Sequence, residues 1–134
     1  FVSDDCFALL RGRDAKGNIA ARKLAAAHDI WLHTDGGPGS HVIIRRAHAG
    51  QEVPERTLDQ AGALAACKSW QKDAARARIL YAEVRHIRSM RGAGTGTVRM
   101  DKILYSREVP VDASLETRLL PESPAGKTDG TGRD

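Results

Sequence analysis

Asp29-Ile30-Trp31-Leu32-His33-Thr34, then Asp35-Gly36-Gly37-Pro38-Gly39-Ser40, then His41-Val42-Ile43-Ile44-Arg45-Arg46, is the stretch whose reading decides the fold. Ile30–Thr34 is strand-like. Gly36 to Ser40 must be a loop, because glycines and a proline cannot continue a ladder. His41–Arg46 is rich in β-branched residues and reads as a second strand. The block therefore predicts two strands joined by a wide, glycine-rich bend. Side chains alternate along a strand, so Trp31 and His33 share one face and Ile30 and Leu32 the other. The Ile30/Leu32 face is expected to meet the core.

Outward from this block, Phe7 to Leu10 reads as a strand and Arg11 to Gly17 as a polar turn. Ile19 to Ala27 is rich in good helix formers, with Asn18 or Asp14 as its cap. Thr57-Leu58-Asp59-Gln60 matches a capping box and predicts a helix over Thr57–Lys72. Its small residues Ala61, Gly62, Ala65 and Ala66 predict close packing on a sheet. Ile79–Arg88 alternates, with Leu80, Ala82 and Val84 expected inward and Tyr81, Glu83 and Arg85 outward. Gly92 to Gly96 is a turn. Thr97 to Met100 and Ile103 to Ser106 are expected to form a hairpin around Asp101-Lys102, extended by Glu108 to Val111. Leu115 to Leu120 suits one helical turn, and Pro121 to Asp134 has the composition of a disordered tail. The order predicts an α+β fold: a mostly antiparallel sheet with two main helices packed on one face. Residues 1–112 form the expected domain, and 113–134 a short helical turn and flexible tail.

The 134 residues are enough for one domain with a real core, and hydrophobic residues make up 41%. No apolar run approaches the roughly 20 residues of a bilayer span, so no membrane partner is expected. The chain opens on Phe1 rather than Met, which points to a piece of a longer protein. Asp4 and Asp5 near the start argue against a signal peptide. Cys6 and Cys67 carry no CxxC spacing and are expected as free thiols in a reducing, cytoplasmic setting.

The net charge is +4, unevenly spread: 16 Lys/Arg against 10 Asp/Glu up to Met100, and 5 against 7 beyond it. A basic body suits a polyanionic partner, because phosphate contacts release counterions. Trp31, His33 and a loop with free backbone N–H groups suit a phosphate or an unstacked base. The alternative is a Trp31 that belongs to the core. Arg85, Arg88, Arg91, Arg99 and Lys102 form a basic stretch with Asp101 as its lone acid. Arginine forks onto phosphates and stacks on bases. The alternative is an edge strand made basic to resist aggregation.

Other chemistries fit poorly. GAGTG precedes strand-forming residues rather than a helix, so it is no dinucleotide site. GGPGS lacks the Lys-Ser/Thr of a phosphate-binding loop. Neither HExxH nor CxxC supports a metal, no GxSxG elbow supports hydrolysis, and no cofactor is expected.

Asp29-Ile-Trp-Leu-His33 followed by Pro38-Gly-Ser-His-Val42 resembles the signature of the NFACT RNA-binding domain, found in ribosome-associated quality control proteins. Further resemblance comes from Phe1 to Asp5, Arg11-Gly-Arg-Asp14 before Asn18, Thr57-Leu58 with its alanine-rich helix, and Val84 to Ile87 with Gly92 to Val98. Residues 1 to 112 are covered. The chain departs from the family pattern at Asp14, at Cys67-Lys68-Ser69-Trp70, and at Gly94 and Thr95.

The resemblance implies a non-catalytic, cytoplasmic RNA-binding domain whose partners are tRNA and the large ribosomal subunit, in the handling of stalled nascent chains. Trp31, His33, Gly39, Ser40 and His41 would be its contact surface, with Arg11, Arg13, Arg85, Arg88 and Arg91 on phosphates. Asp29 and Pro38 would support the site. The rival reading is a small-molecule or protein-interaction module using the Trp31/His33 surface.

Overall fold

The computed structural model describes residues 1–90 and 98–121. In chain order the elements are β1 (Leu9–Arg11), α1 (Ala15–Leu24), β2 (Ile30–Thr34), β3 (Val42–Ile44), α2 (Glu55–Cys67), β4 (Arg76–Glu83), a 3-10 turn (Val84–His86), β5 (Ile87–Ser89), β6 (Val98–Met100), β7 (Tyr105–Pro110) and α3 (Leu115–Arg118). Five strands form one sheet in the order β1-β3-β2-β4-β7, every neighbour antiparallel, and β5 pairs with β6 beside it. The fold is α+β with a mostly antiparallel sheet. The expected tail and the Gly92–Gly96 turn lie outside the described residues.

Ile30, Leu32, Val42 and Ile44 point to one face, where Leu58, Ala61, Leu64 and Ala65 of α2 cover them. The alternate residues Trp31, Ile43 and Ala82 point to the other face, against Ala21 of α1 and Ile87 of β5. Both main helices therefore pack on the sheet, but on opposite faces rather than on one. The sheet is buried on both sides at its centre, which is why β3 reads Val-Ile-Ile without alternation.

β4 corrects the expected facing. Ala77, Ile79 and Tyr81 lie under α2, and Tyr81 is buried with its hydroxyl donating to Leu58 O at 2.7 Å. Gly62 makes this possible, since a Cβ there would stand 2.7 Å from that hydroxyl. The outer half of Ile79–Arg88 is not one strand, because the 3-10 turn lifts the chain into β5. The expected hairpin around Asp101-Lys102 is also replaced. β6 pairs with β5 (Ile87↔Met100), while β7 joins β4 and buries Val109 under α2. Burial of Val109 and Met100 in different clusters separates the two strands.

Helix starts differ from expectation in one case. Asp14 caps α1, its carboxylate accepting Gly17 N at 2.8 Å. The start of α2 is Pro54, with no side-chain cap. Thr57 and Gln60 reach instead to the first residues of the chain: Thr57 Oγ1 donates to Ser3 Oγ at 2.8 Å, and Gln60 bonds Asp4 through both its amide nitrogen and its oxygen. The short helix α3 joins the same core through Leu115 and Leu119. Cys6 is exposed and Cys67 buried, and neither is bridged. No helix among the described residues is long and apolar enough to cross a membrane.

Candidate nucleic-acid interface

Three rings meet on the α1 side of the sheet. Trp31 and His33 alternate off β2, and His41 precedes β3, so all three project to one side. Trp31 and His33 stack with centroids 5.8 Å apart and planes 12° apart. His41 stands edge-on to both, at 5.2 Å and 5.4 Å.

His41 is placed by its backbone. Gly12 N donates to His41 O at 3.0 Å, and His41 N donates to the Oδ1 of the buried Asn18 at 3.0 Å. Gly12 has to be glycine, because a Cβ there would stand 2.6 Å from Asn18 N. The Arg11-Gly-Arg-Asp14 turn and Asn18 thus hold His41 from the start of α1.

Trp31 is 1% exposed and His41 5%. The Trp31 ring is core, covered by α1 and the β5–β6 pair, so it offers no open face for a base or a small molecule. His33 is half-buried and is the member of the trio that reaches the surface. Burial pushes the His41 imidazole down to about 3, helped by His33 and Arg22, and burial also lowers His33. Near neutral pH both rings are uncharged, so they act as hydrogen-bonding groups and not as cations.

Burial leaves polar atoms here without partners among the described residues: Trp31 Nε1, His41 Nδ1 and Arg22 Nε. Buried polar groups are rarely left unpaired. Arg22 comes from the last turn of α1, its charge felt at His41 and its fork directed to Ser89 Oγ at 3.3 Å. It also lines a groove of about 240 Å³ with Lys23, Ser89, Ile19, Val84 and Ile87. The lining holds two cations and no acid, with apolar walls. Sequence reading missed Arg22 because a lysine–arginine pair at a helix end is an ordinary C-terminal feature.

The remaining expected residues divide. Asp29 is fully buried; its carboxylate accepts Ala26 N and Arg46 N at 2.8 Å and forms an ion pair with Arg45 Nε at 2.7 Å. It ties the turn before β2 to the end of β3. The loop is closed onto the segment after α2. Ser40 N donates to Lys68 O, Trp70 N donates to Pro38 O, and Gly39 bridges to Ser69. The backbone N–H of Ser40 is therefore taken up inside the fold.

Arg11 lies on the α2 side, bonding Leu64 O at 3.1 Å and Glu116 at 2.8 Å, so it is held in structure rather than free for phosphate. Arg13 is exposed. Arg85 pairs with Glu83 at 3.3 Å and Arg88 with Asp101 at 3.2 Å, both exposed. Such surface pairs are weak, worth about 0–1 kcal/mol, and yield readily to a phosphate. Arg85 N donates to Ala27 O, which puts that turn at the Asp29 end of β2. The Gly36–Ser40 loop is at the other end, roughly 15 Å away along the strand. The arginines and the loop thus flank the ring trio from opposite ends and form no single cluster. Arg91 lies outside the described residues.

Residues 1–102 match the model of the NFACT protein RNA-binding domain. The chain belongs to this family. It is 35% identical over 102 residues to the Rqc2 homolog RqcH of Bacillus subtilis, covering 75% of this chain and 17% of that protein. Over 75 residues it is 32% identical to the human ribosome quality control complex subunit NEMF, covering 55% of this chain and 7% of that protein. The chain thus spans a small fraction of the curated relatives it matches. Among solved structures it is similar to the C-terminal part of the fibronectin/fibrinogen-binding protein of Streptococcus suis, with a TM-score of 0.79. That match covers 88% of this chain and 47% of that one at 20% identity, a likeness of fold alone. The matched NFACT region contains the ring trio, Arg22 and the groove beside it.

Proposed function

We propose that this chain is a non-catalytic RNA-binding domain that contacts tRNA and the large ribosomal subunit in cytoplasmic quality control of stalled nascent chains. The family is an RNA-binding domain, and its relatives are ribosome quality control proteins. The structural observation that carries the reading is Arg22. Its buried Nε has no partner among the described residues, its charge is felt at neutral His41, and with Lys23 it lines a groove whose other lining residues carry no charge. A guanidinium so placed suits a phosphate, whose oxygens take up two or more N–H donors at once. His33, half-buried and uncharged, suits a ribose hydroxyl or a base edge. Arg85, Arg88 and Arg13 add exposed charge elsewhere on the domain.

The test is tRNA affinity across a potassium chloride series. Binding through several phosphates makes the logarithm of affinity fall linearly with the logarithm of salt, with a slope near 0.9 per contact on duplex regions. Arg22→Ala is expected to weaken binding and flatten that slope, with the large-subunit co-sedimentation of the chain falling in parallel. Affinity that is indifferent to salt, or unchanged by Arg22→Ala and Lys23→Ala together, rejects the reading.

A further inference from the structure

Trp70, just beyond α2, is the largest exposed apolar side chain of the described residues, at 53% exposure. A lone exposed hydrophobe needs no explanation. This one is immobilised. Its indole Nε1 donates to Asp35 O at 3.0 Å, and its backbone N donates to Pro38 O at 2.9 Å. The ring is seated on the glycines of the Gly36–Ser40 loop. A Cβ on Gly37 would stand 2.6 Å from Trp70 Cγ and 2.7 Å from Nε1, and one on Gly36 would stand 3.4 Å from Cζ2. Both halves of the indole thus lie against bare backbone. Gly36 has φ +87, a conformation other residues rarely adopt. The loop is in turn fixed to the segment that carries Trp70, through Ser40 N to Lys68 O and the Gly39–Ser69 bridge. The result is a flat aromatic surface held from below and half open above.

The charges around the ring balance: exposed Lys68, Lys72 and Asp73 flank it in sequence, and exposed Asp35 supplies the carbonyl that the indole bonds. The ring therefore offers a face rather than a field. Resting on the reading of the chain as an RNA-binding domain, we propose that Trp70 is a stacking platform for an unpaired nucleobase. It is separate from the Arg22 groove, because it sits on the loop and not between α1 and β5. Stacking on a ring that is already fixed freezes no side-chain rotamers, so the free energy of the contact is not lost to ordering. It is also tolerant of sequence, because every base has a π face. A protein partner seated on the indole is the competing occupant.

The experiment uses ten-nucleotide single strands of uridine and of adenosine together with an intact tRNA. The single strands are titrated against the wild-type chain while tryptophan emission is followed, and affinities are measured for Trp70→Ala, Trp70→Phe and Trp70→Leu. Stacking predicts a quench in the wild type that is absent in Trp70→Phe, whose remaining tryptophan is the buried Trp31. It predicts that Trp70→Ala weakens single-strand binding roughly 5- to 150-fold, that Trp70→Phe stays within about 3-fold of wild type, and that the salt slope does not change. Trp70→Leu keeps apolar bulk without a planar ring, so stacking predicts a loss close to that of alanine. If Trp70→Ala proves unfolded, the wild-type quench and the phenylalanine–leucine pair still decide. The proposal is overturned by RNA binding without a quench, or by leucine and alanine variants that bind single strands as wild type does. A wild-type chain that binds tRNA and yet shows either result loses the platform and keeps the function. A wild-type chain that binds no RNA loses both.

Discussion

The indole of Trp31 and the imidazole of His33 lie parallel on one face of β2, 5.8 Å apart, with the first buried and the second reaching the surface. The two residues share a face and differ in role. Trp31→Ala removes a fully packed indole from the second cluster and is expected to cost about 3–5 kcal/mol of stability, read as a lower urea midpoint. Any loss of tRNA affinity should follow the unfolded fraction. A well-folded Trp31→Ala chain with its midpoint intact and its affinity weakened would place the ring at the RNA instead.

Asp29→Asn tests the buried carboxylate. The amide keeps one acceptor but turns a donor toward Ala26 N or Arg46 N, and it removes the charge facing Arg45. Leaving such donors unsatisfied is expected to lower stability by about 3 kcal/mol. Equilibrium unfolding checks the magnitude, and tRNA affinity of the folded fraction should be unchanged.

Arg88 and Arg11 should separate cleanly. Arg88 is exposed, and its replacement by alanine is expected to reduce the salt slope of tRNA binding by about one unit. Arg11 is on the α2 side, held by Glu116 and Leu64 O. Its alanine variant should melt at lower temperature and leave the salt slope alone. Equal slopes for both variants would mean that Arg88 makes no phosphate contact.

His41 should make the fold acid-sensitive. Its ordinary value is 6.5 and its folded value about 3, so between those limits the unfolded chain binds a proton that the folded chain refuses. Stability is then complete above about pH 7 and falls as pH drops through the unfolded value, by about 2 kcal/mol from pH 6.5 to 5. His33, lowered in the same direction, adds to the fall. The lowered carboxyls of Asp4, Asp5 and Asp112 act with the same sign but only near and below pH 4. His41→Asn should flatten the slope between pH 6.5 and 5, whatever it does to absolute stability. Chemical denaturation at stepped pH reads it.

The strands of the Asp29–Arg46 block were legible because glycine and proline punctuate them and β-branched residues fill the second. The partners of β6 and β7 were not. The two strands lie close in sequence, and the polar pair Asp101-Lys102 between them reads as a hairpin bend. Only the competing demands of two cores, one taking Val109 and the other Met100, send them to different sheets. Thr57 and Gln60 misled for a similar reason. Their spacing fits a capping box, but Ser3 and Asp4, more than fifty residues away, offer the same side chains better-placed partners.

By itself the sequence determined the fold class, the family signature in residues 29–42, and the sharing of one face by Trp31 and His33, because alternation along a strand is a local rule. It could not determine whether that face is surface or core. Local periodicity says which residues lie together, while burial depends on what a distant segment lays over them. Here α1 and the β5–β6 pair cover Trp31, leave His33 half open, and let the charge of Arg22 be felt at His41. The same holds for Trp70, whose neighbours in sequence say nothing of the glycine loop beneath it. That seat exists because residues 35–40 and 68–70, about thirty residues apart, are hydrogen-bonded to each other in the folded chain.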